Sequence, residues 1–272
     1  MFTTGHFLFI IISTAFVIFG IEVCRRKKPP IRKMLITCLV LSIVSELTKF
    51  FYNITILPVV SPMIENDKLV YQETGAYAPY LEAEHLPFEL CSLQILFMFL
   101  ALVIKNKTLL KRLYTVMYTT CIIGGVIAIL LSSATIGLSE INEFFFSIEV
   151  WRAFLYHSLL VVLGCYIGIS DECDIRFKDI KWAFITILCL DFITMYINSM
   201  MATPYYLGDK LIGVGNVVNY FSSYNNPLGI PMKNKTEWAV YLIIRLVIGA
   251  ALITLVNLPL LKKERSENGK AD

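Results

Sequence analysis

The chain is divided into long apolar blocks, each of a length that crosses a lipid bilayer. Seven blocks run over residues 5–24, 34–57, 86–104, 113–133, 151–170, 182–201 and 238–261. About 20 apolar residues in a helix cross the ~30 Å hydrocarbon core. Backbone facing lipid must satisfy its own hydrogen bonds, so each block is read as a helix. The expectation is an all-α polytopic membrane protein with about seven transmembrane helices. It forms a single helical domain over 1–261, followed by a short basic cytoplasmic tail at 262–272. Only 17% of the 272 residues are charged, whereas a soluble domain carries about a quarter. The blocks leave no room for a separate soluble domain.

The basic residues alternate in position along the chain. Arg25, Arg26, Lys27, Lys28, Arg32 and Lys33 follow the first block, Lys105, Lys107, Lys111 and Arg112 the third, and Arg176, Lys178 and Lys181 the fifth. Lys262, Lys263, Arg265 and Lys270 follow the last. The positive-inside rule assigns these connections and the C-terminus to the cytoplasm, and an odd number of spans then puts the N-terminus outside. The first block precedes its basic residues and has no small-residue cleavage site after it, so it is read as a retained helix. The long polar connections, 58–85 and 202–237, fall on the outer side, where loop-borne function is expected. A third, 134–150, carries Phe144, Phe145 and Phe146 and reads as a segment lying on the interface. The net charge of +3 gives no reason to expect a nucleic-acid partner. The seven cysteines form no CxxC pair or metal-ligand cluster, so neither a metal site nor a disulfide framework is expected.

Ionisable residues inside a span cost about 2.5–3.5 kcal/mol each on insertion scales, so they face a cavity or a partner. Here they share a depth. Glu46 and Lys49 sit in the outer half of the second span, and Glu89 is near the outer start of the third. Arg152 and His157 are near the outer start of the fifth, Asp191 and Asn198 in the sixth, and Arg245 in the seventh. Glu46 and Lys49, three apart, share a helical face and can pair locally. One reading is a set of buried ion pairs fixing helix packing. The other is a polar cavity open to the outer leaflet.

Cys91 is the one cysteine in the outer half of a span, and His157 is the one histidine well inside a span. Their depths match. An imidazole that takes a thiol proton produces a thiolate able to attack an ester and form a thioester. A carboxylate can orient the imidazole, with Glu89, Glu46 and Asp191 as candidates. The alternative for Cys91 is a small buried residue filling a helix contact.

The segment LPFELC, residues 86–91, resembles the LP-x-x-LC signature of the YwaF-like bacterial membrane proteins and their animal relative, transmembrane protein 164. The Tyr156–His157 pair in a later span resembles the same family, as does Asn219-Tyr220 followed by Pro227 in an outer loop. The resemblance covers most of the chain. It implies a cysteine-dependent acyltransferase that moves a fatty acyl chain from a phospholipid to a lysophospholipid, with Cys91 as nucleophile and His157 as base. The segment carrying Asn219 and Tyr220 has two readings: a loop that lids the site, with Gly213, Gly215 and Pro227 allowing its turns and Asn side chains offered to a developing oxyanion, or an ordered surface loop.

On this reading the partners are membrane phospholipids or lysophospholipids and no cofactor is required. The membrane would be a bacterial plasma membrane. Two other readings stand beside it. A small-solute or ion carrier would use Glu46, Lys49, Asp191 and Arg245 as a charge relay. A non-catalytic binding or assembly partner would depend on the outer loops.

Overall fold

The computed structural model describes residues 3–65, 68–132, 138, 140–207, 210–215, 219–222 and 232–268. Its helices are α1 (Thr4–Lys27), α2 (Ile31–Asn53), α3 (Leu93–Val103), α4 (Lys107–Leu130), α5 (Ile141–Phe146), α6 (Ile148–Ile169), α7 (Ile180–Met201) and α8 (Lys235–Asn268). Two antiparallel hairpins lie outside the bundle, β1 (Thr55–Glu65) with β2 (Lys68–Tyr80) and β3 (Thr203–Leu207) with β4 (Lys210–Gly215). Six helices, α1, α2, α4, α6, α7 and α8, are long and apolar enough to cross a membrane. The chain is an all-α polytopic membrane protein.

Helix ends follow their local chemistry. The Thr3 side chain caps α1, and Asn106 caps α4 by accepting from the N–H groups of Thr108 and Leu109 at 2.9 and 3.1 Å. Arg25, Arg26 and Lys27 occupy the last turn of α1, where the helix dipole favours positive charge. The second apolar block was expected to continue to residue 57, but α2 stops at Asn53 and the chain turns directly into β1. The β-branched and proline-containing run that follows suits a strand edge better than a helix.

The expected third span, 86–104, departs furthest from a helix. Its α-helix is only 11 residues long, a rise of ~16 Å. Residues 86–92 form turns, with the Phe88 N–H donating to the Leu86 carbonyl at 2.9 Å and the Leu93 N–H to Glu89 at 3.0 Å. Pro87 is the cause written in the sequence. It lacks an N–H and pushes Leu86 into extended geometry.

Four chain segments meet at one end of the bundle. The Ile31 N–H donates to the Glu172 carboxylate at 3.3 Å, and Lys111 pairs with Asp174 at 2.8 Å. The Tyr166 hydroxyl donates to the Pro29 carbonyl, and the Phe177 N–H to Glu264 at 2.8 Å. The opposite end holds the start of α1, where Phe9 packs on Phe144, Phe145 and Trp151. Phe144 is fully buried there, whereas Phe146 projects outward at 87% exposure. The described chain therefore begins and ends at opposite ends of the bundle. That requires an odd number of crossings, so the broken segment with α3 completes the seventh.

Helices α4 and α6 form the centre. A Cβ on Gly125 of α4 would stand 2.6 Å from Val161 Cγ2 and 2.8 Å from the His157 carbonyl oxygen. A Cβ on Gly164 of α6 would stand 3.2 Å from the Tyr118 carbonyl oxygen. The two backbones approach more closely than larger residues permit, the usual role of glycine between membrane helices. Met98, Met117, Cys121, Leu160, Leu163 and Ile167 fill the core around this contact.

Candidate functional site at a broken membrane crossing

Cys91 lies in the turn that precedes α3, on non-helical backbone rather than on a helix face. Irregular backbone at membrane depth is tolerated only where protein buries it or where it lines a cavity. Cys91 is 8% exposed, and its Sγ stands 3.3 Å from where a Cβ on Gly124 of α4 would be. Its carbonyl accepts from the Tyr156 hydroxyl at 2.8 Å and from the Gln94 N–H at 3.1 Å.

Gln94 is fully buried and holds the turn from below. Its Nε2 donates to the Leu90 carbonyl and to Thr120 Oγ1, both at 3.0 Å, and its Oε1 accepts from the Cys121 thiol at 3.2 Å. Ser92 leaves the start of α3 without a side-chain cap and donates instead to Glu46 Oε1 at 2.8 Å. The second Glu46 oxygen pairs with Lys49 at 3.1 Å. The local pair expected from the three-residue spacing forms, and Ser92 ties it to the cysteine turn.

His157 follows Tyr156 on α6. Its Nδ1 is 2.6 Å from the Ala153 carbonyl oxygen. A carbonyl can only accept, so Nδ1 carries the proton and Nε2 keeps its lone pair. The group orienting the imidazole is thus a backbone carbonyl one turn away. None of the expected carboxylates, Glu89, Glu46 or Asp191, hydrogen-bonds the ring among the described residues. Consecutive glycines of α4 relate the two candidate residues: Gly124 faces the Cys91 sulfur and Gly125 the His157 backbone. Gly124 lies ~9 Å from the end of α4 and His157 ~13 Å from the start of α6, so both sit well inside the bundle.

The remaining expected residues separate into other groups. Arg152 pairs with Glu149 one turn earlier on α6. Glu89 is exposed at the turn, with Lys49, Glu46 and Arg152 within electrostatic range of its carboxylate. Asp191 of α7 pairs with Arg245 of α8 at 2.5 Å, and Arg245 also donates to the Phe221 carbonyl. Asn198 brackets Tyr220, accepting from its N–H at 3.2 Å and donating to its carbonyl at 3.0 Å. Tyr220 is 3% exposed; its hydroxyl donates to the Ala83 carbonyl and its ring meets Phe88 at 5.7 Å. The segment 219–222 is therefore pinned between α7, α8 and the start of the cysteine turn. Asn219 is half-buried beside it, and Pro227 lies outside the described residues.

Sequence reasoning passed over Gln94, Thr120 and the paired glycines Gly124 and Gly125. The signals present were an amide inside an apolar block and a Gly-Gly pair mid-helix. The expected single polar layer resolves into a cysteine–histidine region around α4 and α6 and an ion-paired region around α7 and α8.

A bundle of membrane-crossing helices, with one crossing broken at a buried cysteine, defines a polytopic membrane protein. A family model described as the TMEM164 family matches residues 1–257, and the chain belongs to that family. No curated protein and no solved structure matches the chain.

Proposed function

We propose that this protein is a membrane-embedded acyltransferase that moves fatty acyl chains between phospholipids and lysophospholipids through a thioester on Cys91. The observation that carries the reading is the broken crossing itself. It sets a buried thiol on irregular backbone against Gly124 of α4, while the next residue, Gly125, meets the backbone of His157, whose Nδ1 hydrogen bond leaves Nε2 as a base. His157 Nε2 takes the Cys91 proton, and the thiolate attacks the ester carbonyl carbon of a donor phospholipid. The tetrahedral adduct expels the lysophospholipid oxygen, which takes the proton back from His157. The acceptor hydroxyl then repeats the sequence in reverse, with His157 again as base. The substrate brings its acyl chain through the lipid phase, so no soluble cofactor enters the scheme.

The orientation consistent with this reading puts the basic end of the bundle in the cytoplasm and the site toward the outer leaflet of a bacterial plasma membrane. A solute carrier is the second reading, favoured by the Asp191–Arg245 pair joining two lipid-facing helices. Reconstituted vesicles carrying labelled phospholipid distinguish the two. Cys91→Ala and His157→Ala are expected to insert normally and lose acyl exchange by at least about 10³-fold, the scale of nucleophile and base knockouts. Exchange that persists in both variants, together with solute flux that Asp191→Asn abolishes, favours the carrier.

A further inference from the structure

The turn before α3 leaves backbone donors unmatched in a buried place. Among the described residues, the N–H groups of Leu90, Cys91 and Ser92 have no acceptor, although the carbonyls of Glu89, Leu90, Cys91 and Ser92 are all engaged. Cys91 is 8% and Ser92 5% exposed. Buried backbone N–H groups without a partner are rare, and each one calls for an explanation. At membrane depth the penalty is larger, because lipid supplies no hydrogen bond.

The surrounding contacts fix where these donors point. All peptide bonds are trans, so the carbonyl and the N–H of each peptide lie on opposite sides of the chain. Gln94 Nε2 holds the Leu90 carbonyl, which turns the Cys91 N–H away from Gln94. The Tyr156 hydroxyl and the Gln94 N–H hold the Cys91 carbonyl, which turns the Ser92 N–H away from both. The Ser92 hydroxyl is drawn to Glu46 and does not compete for these donors. Two adjacent N–H groups, one belonging to the thiol-bearing residue itself, thus have no acceptor among the described residues.

We propose that the peptide N–H groups of Cys91 and Ser92 are the oxyanion-binding element of this site, and that Gln94 and Tyr156 are the residues that position them. This rests on the acyltransferase reading above. When the Cys91 thiolate adds to the ester carbonyl, the carbonyl π pair moves onto oxygen. The two N–H groups donate to that oxyanion. Its collapse re-forms the C=O bond and expels the lysophospholipid oxygen, which takes its proton from His157. Donors placed in advance and shielded from water stabilise such charge most effectively.

Backbone ester substitution in the full-length protein tests the proposal. Suppressor incorporation of lactic acid at position 92 replaces the N–H by oxygen, and Ser92→Ala is its matched amide control. The ester variant is expected to show kcat for vesicle acyl exchange about 10²–10³-fold below Ser92→Ala, the loss typical of one oxyanion donor, with KM unchanged. Alkylation of Cys91 by iodoacetamide, a reaction with no oxyanion, is expected to proceed at the same rate in both and reports that the turn is intact. Gln94→Leu and Tyr156→Phe are expected to lower kcat while sparing alkylation. Equal kcat in ester and amide proteins, with wild-type exchange intact, overturns the oxyanion assignment alone. Wild-type protein without exchange overturns the acyltransferase reading, and this inference with it.

Discussion

The α4–α6 pair and the α7–α8 pair both cross the membrane, yet they handle polar groups in opposite ways. The apolar stretches of α4 and α6 are 56% and 61% buried, against 17% and 11% for those of α7 and α8. The inner pair can therefore hold neutral polar groups in a closed network of Gln94, Thr120, Cys121 and Tyr156. The outer pair has few buried residues along its apolar stretches and keeps the Asp191 and Arg245 charges neutralised against each other. Depth alone grouped these residues; burial divides them. The inner region holds the proposed cysteine–histidine site, while the outer region anchors segment 219–222 through Asn198 and Arg245.

Breaking the outer ion pair tests that division most severely for stability. Asp191→Ala leaves the Arg245 guanidinium with the Phe221 carbonyl and the face of the Tyr241 ring, and with no carboxylate partner among the described residues. Removing one member of a buried pair costs about 3–5 kcal/mol. Thermal unfolding in detergent should show that loss, while acyl exchange per folded molecule falls less than about tenfold. Complete loss of exchange in folded Asp191→Ala protein would join the two regions into one site.

A smaller effect is expected from the helix contact. In Gly125→Ala the added methyl meets Val161 and the His157 carbonyl, and forced repacking costs about 1–3 kcal/mol. Because the displaced backbone carries His157, exchange should fall along with stability. Gly249→Ala on α8 is the counterpart, since a Cβ there meets nothing within 4 Å. Equal responses in the two variants would remove the distinction between inner and outer helices.

The smallest effect lies at the basic end, outside both regions. The hydrogen bond from Lys111, the largest influence on Asp174, holds its carboxyl below the usual range. Asp174 binds its proton less tightly folded than unfolded, where the pKa is about 3.9. Its stabilisation is therefore present above that value and is lost as pH falls through the folded pKa. The side chain is exposed, so Asp174→Asn should cost at most about 1 kcal/mol at neutral pH, and that difference should shrink as pH falls below the unfolded value. Unfolding temperatures of both proteins across that pH range check the sign.

The membrane-crossing plan was legible because apolar length and charge position are written directly in the sequence. The Glu46–Lys49 pair was legible from its spacing. The broken third crossing was hidden because Leu86–Ile104 is apolar enough to pass for a span, although Pro87 was present as a signal. The hairpins were hidden because their strands stabilise each other across residues far apart in the chain, such as Thr55 and Tyr80. The partner of His157 could not be found from side-chain types at all, since it is the Ala153 carbonyl. A single glutamine in an apolar block gives no hint that it holds two peptides in place.

The central claim is that Cys91 carries the acyl group. Purified protein incubated with a phospholipid bearing an isotopically labelled acyl chain, then digested and analysed by mass spectrometry, tests it directly. The account predicts a hydroxylamine-labile acyl adduct on the Cys91 peptide, absent in Cys91→Ala and formed far more slowly in His157→Ala. Acyl exchange that proceeds undiminished in Cys91→Ala, with no adduct on the wild-type peptide, would contradict it.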